Sequence, residues 1–240
     1  MSTQQAPVTI YLVRHGKTML NTTERTQGWI DSPLTQEGIQ IAENLGHGFR
    51  KNDLHFDAAF SSDQVRAVKT ARIVLDANEQ TDVPIKQLAG LREECFGVFE
   101  GEKADRVAQV LFPQYKTFAE AMTTGKLGVR ELADAIAAYT NAKTPEEGES
   151  YQMLSDRLDA AMKQVGMMAQ AQGAQNVLVV SHGNSIFAWL ANQGLSYEEI
   201  GFLYNASVSL IAYKDGAFKV EAVNQMNYVN EGADDAAGLN

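Results

Sequence analysis

Residues 176–184 read NVLVVSHGN, an apolar run from Asn176 to Ser181 that passes without a linker into His182-Gly183-Asn184 and then into further apolar residues. A run this short suits a buried strand, and the residues after the glycine return to helical spacing. Strand, glycine-bearing turn and helix in succession is the arrangement at which open α/β sheets bind ligands. The start of the chain repeats the pattern. Val8 to Val13 (VTIYLV) is a second short apolar run, and it ends in Arg14-His15-Gly16. Parallel strands bring their C-terminal ends to one edge of a sheet, so His15 and His182 are predicted to meet although they are far apart in sequence.

Working outward, Pro33-Leu34-Thr35 leads into Glu37, Ile39, Ile41, Ala42, Leu45 and Phe49 at helical spacing, with Thr35 as the N-cap. Asp57 to Phe60 reads as a second strand. Ser61-Ser62-Asp63 then caps a helix carrying Val65, Val68, Ala71, Ile73, Val74 and Leu75. Val83 to Leu88 is a further short strand. From 102 to 145 Val107, Val110, Leu111, Tyr115, Phe118, Met122, Leu132 and Ile136 recur at helical spacing with no strand between them, which predicts a helical insertion. Pro145-Glu146-Glu147-Gly148 ends it, and Ser150 opens a helix carrying Leu154, Leu158, Met162, Val165 and Met168. Residues 207–213 and 217–223 alternate around Lys214-Asp215-Gly216, an Asp-Gly hairpin signal that predicts an antiparallel pair at one sheet edge.

No internal repeat or linker divides the chain. One domain over residues 1–240 is expected: a mostly parallel central sheet with helices on both faces, a helical lid inserted at about 98–147, and a flexible acidic tail at 231–240 (EGADDAAGLN).

Composition narrows the partners. The 240 residues are 45% hydrophobic and 21% charged, as in an ordinary globular protein. Twenty Lys plus Arg against thirty Asp plus Glu leave a formal net charge of −10, which repels nucleic acid and anionic lipid surfaces. Neither is an expected partner, and a homodimer stays open. Cys95 is the only cysteine, so an intrachain disulfide and a multi-cysteine zinc site are excluded, and a reducing compartment fits. The opening MSTQQAPVTIYLVRHG has no basic segment followed by a long apolar run, and no apolar stretch approaches a membrane span. The expected location is the cytoplasm.

Of the four histidines, His47 and His55 fall on polar helix or loop positions and read as solvated. The pair at the strand ends could serve a metal, a catalytic dyad or an anion. Arg14 beside His15, and Arg66 soon after the second strand, argue against a metal, because a guanidinium carries a permanent positive charge. They favour an anion. A planar fork of donors from each arginine, with the backbone N–H groups of Gly16, Gly28 and Gly183, would hold phosphate oxygens.

At this point the residues resemble a known family. Leu12 to Thr18 reads LVRHGKT, the signature of the histidine phosphatase superfamily, also called the phosphoglycerate mutase-like family. Further blocks fall in family order across nearly the whole chain: Asn21; Gln27-Gly28-Trp29 with Pro33-Leu34-Thr35; Ser61-Ser62-Asp63 with Arg66; Leu91-Arg92-Glu93 with Phe96-Gly97; Glu100-Gly101; Gly148-Glu149-Ser150; and Ser181-His182-Gly183-Asn184. The resemblance implies that His15 is the nucleophile that accepts a phosphoryl group. It makes Arg14, Arg66 and His182 the phosphate clamp and Glu93 the proton donor. Asn21, Gln27 and Gly28 correspond to further phosphate-pocket residues.

Elementary chemistry agrees with each role. Histidine attacks phosphorus only through an unprotonated ring nitrogen, so the other nitrogen should donate to a carbonyl and fix the tautomer. Two arginines and a second histidine stabilise charge on the equatorial oxygens, so no metal and no cofactor is expected. An alkoxide leaves poorly unless an acid protonates it, and the same group can then activate water. The substrate expected is a small phosphorylated metabolite.

Within the family, mutases carry a basic residue directly after the acid glutamate and a paired arginine in the insertion. Here Glu94 follows Glu93, and no Arg-Arg pair occurs. Together with Gln27 and the block Phe202-Leu203-Tyr204, this resembles the broad-specificity phosphatase branch, with cofactor-dependent phosphoglycerate mutase as the alternative. Glu93 and Glu94 at the pocket mouth are expected to disfavour a second anionic group on the substrate. Glu100 and Glu102 read as a solvated acidic loop and Cys95 as a buried structural thiol. Phe96, Phe99, Phe112, Tyr115, Phe118 and Met122 either wall the pocket or simply pack the insertion.

Other classes fit less well. Gly16-Lys17-Thr18 ends like a P-loop, but Tyr11 stands where that motif needs glycine. Gly183-Asn184-Ser185 fails as a nucleophile elbow because Phe187 replaces its second glycine. A non-catalytic phospho-ligand binding protein would tolerate loss of His15 or Glu93, and both are present.

Overall fold

The structure, a computed structural model, describes residues 7–123, 127–145 and 147–238. The first six residues, residues 124–126, Glu146, the side chains of Met122 and Thr123 and the last two residues lie outside that description.

Six strands form one sheet: β1 (Val8–Arg14), β2 (Ala58–Ser61), β3 (Ile85–Gln87), β4 (Asn176–Ser181), β5 (Val208–Lys214) and β6 (Ala217–Gln225). Their spatial order is β3-β2-β4-β1-β5-β6. The first four are parallel, and β5 and β6 add an antiparallel edge. The β5–β6 turn places Asp215 and Gly216 at φ +50° and +87°, the left-handed pair that a tight hairpin requires.

Ten helices accompany the sheet among the described residues: α1 (Met19–Thr22), α2 (Gln36–Lys51), α3 (Val65–Ala77), α4 (Ala104–Leu111), α5 (Phe118–Thr123), α6 (Val129–Asn141), α7 (Tyr151–Gln172), α8 (Gly183–Asn192), α9 (Tyr197–Ile200) and α10 (Asn227–Gly238).

Alternation along the strands divides the core into two layers. Ile10 and Leu12 of β1, with Val177 and Val179 of β4, pack under α7 and α8 together with Leu154, Leu158 and Trp189. On the opposite face Val13, Leu178 and Val180 meet Ala42, Leu45 and Phe49 of α2 and Ala71, Val74 and Leu75 of α3. Thr35 caps α2 by accepting from Gly38 N–H, and Ser150 caps α7 by accepting from Met153 N–H, as their positions predict.

Two local expectations change. Helix α3 begins at Val65 with Gln64 as its N-cap residue, and Asp31 from another loop accepts the Val65 N–H. Ser61-Ser62-Asp63 therefore does not cap it. Ser61 continues β2, Ser62 enters the site, and Asp63 pairs with Arg92.

The acidic segment expected as a flexible tail instead continues α10 through Gly238 and packs on α2. Small residues allow the close approach: a Cβ at Gly232 would stand 1.9 Å from Asn44 O. Asn52 Nδ2 also donates to Glu231 Oε2 at 2.6 Å.

The insertion is helical, with α4, α5 and α6. Its aromatic residues Phe96 and Phe99 are buried with Val107, Leu132 and Ile136 in a third cluster, and Phe112, Tyr115 and Phe118 pack against that cluster. Packing within the insertion, and not the wall of a pocket, is what these six positions show wherever their side chains are described.

Candidate active site

Three adjacent strands deliver the site. In the β1–β4 register Arg14 pairs with Ser181, so His15 and His182 each leave the sheet one residue later. Ser62 leaves β2 beside them, its N–H donating to Val180 O at 3.0 Å. The two imidazole centroids are 5.1 Å apart, as the strand ends predict.

His15 Nδ1 lies 2.7 Å from Gly16 O. A carbonyl can only accept, so Nδ1 carries the hydrogen and Nε2 keeps its lone pair. Burial, then Arg66 and Arg14, hold His15 well below the usual histidine range. The ring is neutral at neutral pH.

His182 is held low by burial first and then by Arg66, His15 and Arg14. Its Nε2 is 2.6 Å from Ser62 Oγ, which also accepts from Gln64 N–H. When the Ser62 hydroxyl donates to Nε2, the His182 hydrogen lies on Nδ1. Among the described residues that Nδ1 has no partner.

The two arginines are unequal. Arg66 is fully buried, and its Nη2 donates to Gly28 O at 2.8 Å, with Gln27 O and Gln64 Oε1 also in range. Its Nη1 donates to Ile30 O at 3.0 Å and Asp31 Oδ1 at 3.2 Å. Both terminal amino groups therefore grip loop 27–31, and only Nε lacks a partner among the described residues. Arg14 donates to Leu203 O through Nη1, and its Nε is likewise unpartnered. The expected fork from each arginine is thus available from Arg14 but reduced to one N–H in Arg66.

Glu93 sits across the first turn of α8. Its Oε1 accepts from Ser185 N (2.9 Å), Ser185 Oγ (3.0 Å) and Glu94 N (3.0 Å), whereas Oε2, among the described residues, accepts only from Asn184 N (3.1 Å). Oε2 is the oxygen with room for a further hydrogen-bond partner.

Unpartnered donors on Arg14, Arg66 and His182 beside a neutral, oriented imidazole suit an anion whose central atom can be attacked. Residues 10–226 match the family model of the Histidine phosphatase superfamily (branch 1). The chain belongs to this superfamily. Its members' chemistry is phosphoryl transfer, as phosphatases or mutases.

The chain is similar to a phosphoglycerate mutase of Bacillus anthracis, 38% identical with a TM-score of 0.85 over 97% of this chain and all of that one. It is similar to a broad-specificity phosphatase of Saccharomyces cerevisiae, 27% identical over 94% of this chain and 89% of the relative. A 2,3-bisphosphoglycerate-dependent phosphoglycerate mutase of Bartonella henselae is 31% identical over 80% of this chain and 84% of the relative.

The glycines expected to offer N–H groups to phosphate differ. Gly16 N–H donates to Thr70 Oγ1 at 2.9 Å and Gly28 N–H to Glu100 Oε2 at 3.0 Å, so neither is free. Gly28 allows close approach instead, since a Cβ there would stand 2.2 Å from Glu94 O. Gly183 lies in the first turn of α8, where no helical carbonyl reaches its N–H, and a Cβ on it would come within 3.3 Å of Arg14 Nε. Gln27 is occupied at both ends, accepting from Thr18 Oγ1 (2.6 Å) and donating to Ser32 Oγ (3.1 Å). Asn21 Oδ1 accepts from Thr18 N–H at 3.2 Å. His47 and His55 lie outside the site.

Glu100 is not a solvated acid. Its carboxylate accepts from the N–H groups of Gly28, Trp29, Ile30 and Phe96 and ties loop 28–30 to the insertion. Glu102 does face solvent, paired with Arg106. Cys95 is half-buried at a cleft of about 450 Å³ beside Trp29 and Met153, and burial pushes its thiol up, away from a reactive thiolate.

Glu94 departs furthest from its expected place at the pocket mouth. It is completely buried, with Oε2 accepting from Asn184 Nδ2 at 2.9 Å. Burial, against the pull of Asn184 and with Glu93, Glu149 and Glu100 nearby, pushes its carboxyl up to about 8. At neutral pH it is neutral and adds no charge to repel a second anionic group.

A raised carboxyl favours the fold fully below the unfolded value of 4.5 and loses that advantage as pH rises toward 8. Glu94→Gln should therefore be more stable than the parent by about 3 kcal/mol at pH 7, with the gap closing below pH 4.5. Urea denaturation at pH 4.5, 7 and 8.5 checks this, and a gap independent of pH would contradict it.

Ser62, Thr70, Glu100 and Ser185 are the site residues that sequence reasoning left without a role. Ser62 and Glu100 fell in blocks of the family resemblance, and Ser62 also shares the strand-end position of the two histidines.

Proposed function

We propose that this chain hydrolyses small phosphate monoesters without a metal, through a phosphohistidine at His15. The observation that carries the reading is a neutral His15 whose Nδ1 is fixed on Gly16 O, leaving Nε2 free beside unpartnered donors of Arg14, Arg66 and His182. In the first step the Nε2 lone pair bonds to phosphorus. The ester P–O bond breaks with its electron pair on oxygen, and that oxygen takes a proton from Glu93 Oε2. In the second step Glu93 takes a proton from water, the water oxygen bonds to phosphorus, and the N–P pair returns to Nε2. Asn21, Gln27, Gly28 and Gly183 support the pocket. The insertion at 98–147 acts as its lid, joined to loop 25–30 through Glu100 and through Arg25 donating to Gly101 O.

The second reading is a mutase, favoured by the 38% identity to the Bacillus anthracis protein. A mutase must also bind the carboxylate of its triose. Here Arg92 and Arg157, which adjoin Glu93, are taken up by Asp63 and Glu149. That distribution supports hydrolysis.

Phosphate release from p-nitrophenyl phosphate, unaffected by EDTA, is the expected result. In a parallel assay, 3-phosphoglycerate with 2,3-bisphosphoglycerate should give little isomerisation. Robust isomerisation with negligible phosphate release would establish the mutase instead.

A further inference from the structure

Between α9 and β5 the chain turns through Gly201-Phe202-Leu203-Tyr204-Asn205. Phe202 and Tyr204 are 70% and 53% exposed, although Leu203 between them is buried in the core under α8. The two rings meet edge to face with centroids 5.4 Å apart. Two large aromatic side chains thus stand side by side in solvent as an apolar surface.

The loop is fastened to the catalytic strand end. Arg14 Nη1 donates to Leu203 O, Ala206 N–H donates to Arg14 O at 2.9 Å, and Asn205 Nδ2 donates to His15 O at 2.9 Å. Asn224 brackets the aromatic pair by accepting from Tyr204 N–H at 3.0 Å and donating to Phe202 O at 2.6 Å. Ala206 and Asn224 adopt φ of +59° and +55°, a strained choice for residues with a side chain. Strain of this kind persists where the surroundings over-determine a conformation, and here it fixes two rings beside Arg14.

The Arg14 guanidinium carbon lies 5.9 Å from the Phe202 ring centroid. A phosphate on the free Nε of Arg14 would therefore lie close to this ring. We propose that Phe202 and Tyr204 are a stacking platform for the leaving group, and that the preferred substrates are aryl or other flat, apolar phosphate monoesters in place of phosphocarboxylates. The proposal rests on the phosphatase reading above. Because the loop is already ordered, stacking loses little conformational freedom, whereas a small polar leaving group gains nothing from the rings.

The test compares 1-naphthyl phosphate with glycerol 2-phosphate in the parent, in the double variant Phe202→Ser/Tyr204→Ser and in Phe202→Tyr. The parent should prefer the naphthyl ester. In the double variant the ratio of the two kcat/KM values should fall about tenfold, through KM, and Phe202→Tyr should keep it. An unchanged ratio, or an equal loss for both substrates, would overturn the platform. So would a double variant that converts a dimer to a monomer without moving the ratio, since the rings would then be a face between copies of the chain.

Binding of phenylphosphonate and methylphosphonate, measured by calorimetry, needs no turnover. If neither ester is hydrolysed but the parent still binds phenylphosphonate more tightly and the double variant does not, the phosphatase reading fails and the platform stands. Equal binding of both phosphonates by the parent removes the platform whatever the turnover.

Discussion

His15→Asn is expected to lower kcat on p-nitrophenyl phosphate by about 10⁴-fold or more, the scale of losing the nucleophile in a covalent catalyst. The asparagine amide can still donate to Gly16 O, so the local structure should survive. No atom with a basic lone pair then occupies the Nε2 position. The donors on Arg14, Arg66 and His182 are untouched, so orthovanadate should still bind and raise the melting temperature. Retained turnover in a folded His15→Asn protein would mean that water attacks the ester directly. Loss of vanadate binding as well would mean that His15 acts only as part of the anion pocket.

Arg66→Met is expected to be the most destabilising single change at the site, by about 3–5 kcal/mol in urea denaturation. It removes every donor that the Gln27, Gly28 and Ile30 carbonyls receive from this side chain, and it leaves Asp31 without its buried partner. Activity should fall about 10²–10³-fold as the loop loosens and a positive charge is lost. Arg66→Lys should recover little, because one ammonium cannot span carbonyls that a planar guanidinium reaches on two sides. Arg14→Met is the control: its terminal group donates to the single carbonyl of Leu203, so it should lose activity with a smaller loss of stability. Equal destabilisation by the two variants would contradict the division of labour between the arginines.

Much of this was legible because it depends on short-range pattern. The runs VTIYLV and NVLVVS could only be buried strands, and their shared direction put His15 and His182 together before any distance was known. The chemistry of an unprotonated nucleophile required a carbonyl partner for Nδ1, and Gly16 supplies it.

What was not legible depends on long-range hydrogen bonds. No local pattern shows that Glu100 gathers four backbone N–H groups, or that Gly28 gives its N–H to that carboxylate and not to phosphate. Glu94 misled for a related reason. Two adjacent glutamates read as a surface acid pair, and only the tertiary fold places the second with no contact to water. The acidic end of the chain lacked the apolar spacing that marks a buried helix, and its small residues served close helix packing instead.

The central claim is a covalent phosphoryl group on His15, and rapid-quench trapping addresses it directly. Enzyme mixed with excess p-nitrophenyl phosphate and quenched in alkali within the first turnover should yield a His15-containing peptide heavier by one phosphoryl group. The modification should be labile in acid, as a phosphoramidate is, and absent from His15→Asn. Steady turnover with no labelled His15 at any quench time, or a label carried by another residue, would contradict the account.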